Sequence, residues 1–186
     1  MNADDRIDAG FYGKVRTHGD FVGGGLSAAF VGRWDAWLQR GLLAARERHA
    51  GGWLERYLEM PVWRFSAPPS VIDDCACTGV LMPGIDAVGR YFPFVIAGQI
   101  ESAARAVDSR WHDEACALAL STLAPSFSLK AFESNLAALR EQSVALASCE
   151  GASVWWTHED GVTHRHEGPL DARMFLDLLE AHDSVD

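Results

Sequence analysis

His164 and His166 stand two apart in the 186-residue chain, with His158 and Glu159 just before them. On a strand, residues i and i+2 point to one face, so this pair could share a zinc ion. The Glu, Asp and Gly residues around them speak more for a solvated hairpin tip. His18 and Asp20 could form an acid–base pair, with Ser27 or Cys75 as a distant nucleophile. Yet the chain has no Gly-x-Ser-x-Gly elbow, and no Cys sits in a recognisable His-paired setting. Gly23-Gly24-Gly25 precedes a helix but has neither phosphate-loop nor dinucleotide-loop spacing. Asp73-Asp74 and Asp113-Glu114 lack calcium-loop spacing, and the second pair suits the first turn of a helix. Cys75 and Cys77 are one residue apart, a spacing used by neither zinc knuckles nor redox pairs, so they read with Cys116 and Cys149 as free thiols in a reducing compartment. No cofactor or enzymatic activity is expected from this inventory.

Charges inside apolar stretches are different in kind. Arg64 lies between Trp63 and Phe65, and Arg90 precedes Tyr91. An arginine in an apolar strand requires a carboxylate, and Asp20, Asp35 and Asp86 are available. Lys14, Asp20, Arg64, Asp86 and Arg90 are therefore expected to form a polar cluster. Its first expected role is to specify the fold, and its second is recognition. The seven tryptophans, at 34, 37, 53, 63, 111, 155 and 156, read mainly as core.

Positioning these residues requires a sheet and helices in alternation. Residues 8–15, 62–65, 78–82, 92–97 and 153–157 have strand character, with a polar turn or hairpin over 158–168. Gly23-Gly24-Gly25 reads as loose chain. Ser27 can cap a long helix whose apolar stripe is Phe30, Val31, Trp34, Leu38, Leu42 and Ala45, widened by Trp37. A short helix follows through Trp53 and Tyr57, stopped by Pro61. Asp108 or Ser109 can start a helix through Trp111, Ala115 and Ala119. Ser128 can start another through Phe132, Leu136 and Leu139. A last helix opens at Pro169-Leu170-Asp171 and carries Phe175, Leu178, Leu179 and His182. The links between the three central strands are too short for helical crossovers. The expected fold is a single α/β domain over 1–186. Its mixed or largely antiparallel central sheet is flanked by helices on both faces, a three-layer sandwich.

Composition fits that fold: 48% apolar, 23% charged and a formal net charge of −10. The net charge is +1 over residues 1–50, −5 over 51–150 and −6 over 151–186. Such acidity disfavours nucleic acid and anionic lipid as partners. The N-terminus has no secretory pattern and no apolar run approaches bilayer length, so a cytoplasmic location without membrane insertion is expected.

Four ordered motifs resemble the TagF (ImpM) family of type VI secretion-associated proteins. They are Gly10-Phe11-Tyr12-Gly13-Lys14 with Gly19-Asp20-Phe21, then Trp34-Asp35-Ala36-Trp37-Leu38, then Pro61-Val62-Trp63-Arg64-Phe65. The fourth is Gly79-Val80-Leu81-Met82-Pro83 running into Asp86-Ala87-Val88-Gly89-Arg90-Tyr91-Phe92-Pro93. The likeness is dense over 10–97 and thinner beyond, where Ser153-Val154-Trp155-Trp156 and Phe175-x-x-Leu178-Leu179 resemble the family's C-terminal marks. The chain departs from the family at Arg16-Thr17-His18 and at Gly84. The resemblance implies a layered α/β domain and a non-enzymatic cytoplasmic protein. It also implies negative regulation of the secretion machine after translation, through binding of its forkhead-associated (Fha) scaffold protein. The competing reading is a small-molecule-binding or hydrolytic domain using the Asp20/Arg64/Arg90 region.

Overall fold

The computed structural model describes residues 7–100, 104–106, 109–142, 146–148, 151–158 and 163–181. Asp108, Cys149, Glu159 and His182 therefore lie outside the described residues. The first half runs β1 (Asp8–Gly13), β2 (Val22–Gly24), α1 (Ala28–His49), α2 (Trp53–Glu59), β3 (Trp63–Ala67), β4 (Ala76–Met82) and β5 (Phe94–Ile100). It continues through β6 (Ala104–Ala106), α3 (Ser109–Ser121), α4 (Leu129–Arg140), β7 (Leu146–Ser148), β8 (Ala152–Trp156), β9 (Thr163–Glu167) and α5 (Ala172–Leu179). Seven strands form one sheet in the order β2-β1-β5-β4-β3-β8-β9, and every neighbouring pair is antiparallel. Short β6 and β7 pair separately.

The central strands are near-continuous apolar runs because helices cover both their faces. Alternation along β4 makes this explicit. Cys77 and Leu81 join a core built with α1, α2 and α5, whereas Ala76, Val80 and Met82 join a second core built with α3 and α4. The first core is aromatic: Trp34 stacks over Phe30 and lies 5.0 Å from Trp37 and 6.2 Å from Trp155, ring centre to ring centre. Trp37 and Trp155 are 5.5 Å apart. Trp34, Trp37, Trp63, Trp111 and Trp155 are fully buried, and Trp53 and Trp156 partly so.

Ser27 does cap α1, its hydroxyl accepting from the Phe30 N–H at 2.9 Å. Near the middle of α1, Gly41 leaves room for α5: a Cβ there would lie 2.4 Å from Cγ of Phe175. Asp171 caps α5 through the Met174 N–H. Two expectations need correction. Gly23 and Gly24 are not loose chain but edge strand β2, registered against Tyr12 and Phe11, because backbone hydrogen bonds need no side chain. Asp113 is not in the first turn of α3, which starts at Ser109, so no helix-dipole role explains it.

Candidate functional site

Where β1 runs out, Lys14 is placed beside the 83–93 loop that joins β4 to β5. Asp86 is buried at the centre of this junction. Its Oδ2 accepts from Lys14 Nζ at 3.0 Å and Arg90 Nε at 2.7 Å. Its Oδ1 accepts from the backbone N–H of Val88 and of Arg90, at 3.1 and 2.9 Å. Burial alone would raise the Asp86 pKa. The Arg90 backbone N–H, the Lys14 and Arg90 side chains and the Val88 N–H outweigh it, holding the carboxyl well below the usual carboxylate range.

The same cluster ties two loops together. The Arg90 guanidinium also donates to the Gly19 carbonyl, and the Ala87 N–H donates to the His18 carbonyl at 2.8 Å. Gly84 anchors the loop from the other side: the Tyr57 hydroxyl donates to its carbonyl at 2.9 Å and accepts from its N–H at 2.8 Å. No side chain fits at Gly84 on this backbone, since a Cβ would stand 2.4 Å from the Phe92 carbonyl oxygen and 2.7 Å from that of Lys14.

Above the ion pairs lies an aromatic layer. Phe21 stacks on Tyr12 at 5.2 Å and meets Phe92 edge-on at 4.9 Å. Lys14 Nζ sits 5.1 Å from the Phe21 ring centre, a cation–π distance. The Tyr12 hydroxyl donates to Asp35 Oδ1 on α1 at 2.9 Å. Burial, then the bonded Asp35 carboxylate, pushes the Tyr12 phenol above its ordinary range. Phe21, Val88 and Arg90 face solvent around this layer.

The five residues expected to cluster are thus divided. Lys14, Asp86 and Arg90 meet directly. Asp20 stands at their margin, where its carboxylate accepts from the Phe21 N–H instead of pairing with an arginine. Arg64 is elsewhere. It lies on β3, three places from β1 in the sheet and so about 14 Å away at normal strand spacing. Its side chain faces α3, where Nη2 donates to Asp113 Oδ1. Asp20, Arg64 and Arg90 therefore do not line one common site.

The histidine pair occupies the half-buried face of edge strand β9. The His164 ring packs edge-on to Trp63 at 5.4 Å, and His166 Nε2 donates to the Pro169 carbonyl at 2.9 Å. Among the described residues no group of three His, Cys, Asp or Glu is placed to hold a metal ion. Among the described residues Cys75, Cys77 and Cys116 take part in no disulfide; Cys77 is buried and Cys75 exposed.

Sequence reasoning missed the roles of Tyr12, Tyr57, Phe21 and Asp113 in these networks. Tyr12 and Phe21 lay inside the first motif, but their contact depends on the turn between them. Asp113 is separated from Arg64 by 49 residues, so only the fold brings them together.

The first and fourth motifs meet at this end of the sheet, joined by Asp35 of the second through Tyr12, and the family is settled by its sequence profile. A model for the TagF N-terminal domain, type VI secretion system-associated, matches residues 10–139. The chain belongs to this family. Among solved structures, it is similar to PA0076 from Pseudomonas aeruginosa PAO1, with 34% identity and a TM-score of 0.83. That likeness covers 92% of this chain and 93% of the other. A comparison with curated proteins finds no match. The family match ends in α4, but the structural likeness extends over nearly the whole fold, in which β8, β9 and α5 complete the sheet and the aromatic core.

Proposed function

We propose that the chain is a non-enzymatic accessory protein of the type VI secretion system. It acts in the cytoplasm as a post-translational negative regulator by binding the forkhead-associated (Fha) scaffold protein. Membership of the family supports the link to the secretion system, and the family resemblance supports the regulatory role and the partner. One structural observation carries the reading furthest. Lys14, Asp86 and Arg90 satisfy one another and thereby hold the 15–21 and 86–90 loops in a single arrangement. These two loops expose Phe21 and Val88, 40% and 68%, together with Arg16, Asp20 and Arg90. A surface already ordered loses little entropy on binding, and apolar side chains among charged ones suit a protein partner.

Val88→Asp tests this surface without touching the cluster, because Asp86 is bonded by the Val88 backbone and not its side chain. The variant is expected to keep its melting temperature, lose capture of the Fha protein in a pull-down, and relieve repression of tube-protein secretion in cells overproducing it. Full capture by the folded variant would reject the surface. Secretion unaffected by both deletion and overproduction would reject the regulatory role itself.

A further inference from the structure

Arg64 is a buried cation at the floor of an open cleft, paired with Asp113 and in contact with the Cys116 thiol. Only 3% of the residue is exposed. Its strand neighbours are Val80 on β4 and Trp156 on β8. Nη2 donates to Asp113, but Nε has no hydrogen-bond partner among the described residues. The hydroxyl of Thr157, also buried, is likewise without one. Both residues line a cleft of about 480 Å³, walled by Met60, Val62, Cys116 and Leu120, with His158 at its edge.

A buried guanidinium ordinarily takes a carboxylate by two parallel N–H bonds, and leaving a donor unmade there is costly. The carboxylate it does hold is unlike it in burial: the Asp113 side chain is 48% exposed, against 4% for that of Arg64. Asp113 therefore stands at the solvent side of the pair, able to swing outward, whereas Arg64 is fixed in the sheet. On that side His158 Nδ1 lies 3.8 Å from Asp113 Oδ1. The cleft's volume falls within the usual range for small-ligand sites, and its walls are largely apolar.

We propose that this cleft binds a small organic acid, one carboxylate on an apolar body. The carboxylate engages Arg64 through Nε and Nη2 and accepts from the Thr157 hydroxyl, while the apolar body lies against Met60, Val62 and Leu120. Asp113 occupies part of the same donor set in the free protein and competes with the ligand. The site is separate from the Lys14–Asp86–Arg90 surface, so either can fail without the other.

Hexanoate and phenylacetate serve as probes, with hexanol and benzyl alcohol as matched uncharged controls, in NMR titrations of the full chain. The acids are expected to shift the Arg64 Nε–H and Thr157 amide signals, and the alcohols to leave both in place. Asp113→Asn removes the competitor and is expected to tighten binding roughly tenfold. It also leaves Arg64 short of a charge partner, so acid is expected to raise the melting temperature of this variant more than that of the parent. Thr157→Val, close in shape, is expected to weaken binding with little loss of stability. N-acetyl-leucine separates a free acid from the C-terminus of a peptide: preference for it would assign the cleft to a chain end and overturn the small-acid proposal. Absence of shifts up to about 10 mM acid in both the parent and Asp113→Asn would overturn it, as would equal responses to acid and alcohol.

Discussion

Asp86 concentrates more of the structure's electrostatics than any other residue of the loop cluster. Its carboxyl is held below the ordinary value of 3.8, so its ionised form favours the folded state. The stability it provides is fully present above that value and is lost as the pH falls below it. Asp86→Asn is therefore expected to be less stable than the parent at neutral pH, with the gap narrowing as the solution is acidified below about pH 4. Urea denaturation across pH 2–7 reads both curves, and parallel curves would refute the assignment. The sequence made half of this visible. Asp86 and Arg90 are four apart in one turn, so their pairing is local, and Lys14 closes the first of the four motifs. The residues around Arg64 demand a carboxylate and point to Asp20, Asp35 and Asp86, whereas the fold supplies Asp113 from α3, 49 positions away.

Helices were the most legible elements, because a 3.6-residue period and a cap are local signals. Ser27 is the clearest case, and its role is larger than capping. Besides accepting from Phe30, its hydroxyl donates to Asp73 at 2.8 Å, and Gln99 of β5 donates to the same carboxylate oxygen at 2.8 Å. Burial opposes ionisation of Asp73, but Gln99, Ser27 and the Asp74 N–H more than offset it and lower its pKa. One hydroxyl thus joins the start of α1 to the 68–75 loop and to the sheet. Ser27→Ala is expected to cost about 1–2 kcal/mol in a denaturant titration, near the upper end for a cap. Ser27→Thr should recover part of it. A loss of a few tenths would show that the Asp73 network contributes nothing. Strands were less legible than helices. β2 has three residues, two of them glycine, and its identity comes from pairing with β1 rather than from its own composition.

At the scale of the whole molecule, the aromatic core is closed by the part of the chain beyond the family match. Trp155 and Phe175 are fully buried, as is Leu178, and β8 covers the flank of β3. Removing large core side chains costs about 3–5 kcal/mol each for aromatics. The loss of these three together rivals the whole stability of a domain this size, roughly 5–15 kcal/mol. A chain ending at Gln142 is therefore expected to show no cooperative thermal transition by circular dichroism, although it contains every residue of the 10–139 match. A cooperative transition near the parent's would reveal that those residues form a self-sufficient unit. The layered architecture was legible from the interspersed strands and helices, and the antiparallel centre from its short links. The last two strand positions were not, because β8 reaches β3 only after the chain has crossed the other face through α3 and α4.

Three indoles from two distant parts of the sequence meet in that closure. Trp34 and Trp37 come from α1 and Trp155 from β8, all within 6.2 Å of one another. At such separations their electronic transitions couple, so the folded chain carries an optical signature that belongs to the trio and to none of its members. When β8 leaves, the couplings to Trp155 are lost and only that between Trp34 and Trp37 persists where α1 remains helical. The protein thereby contains its own reporter for the last step of its assembly.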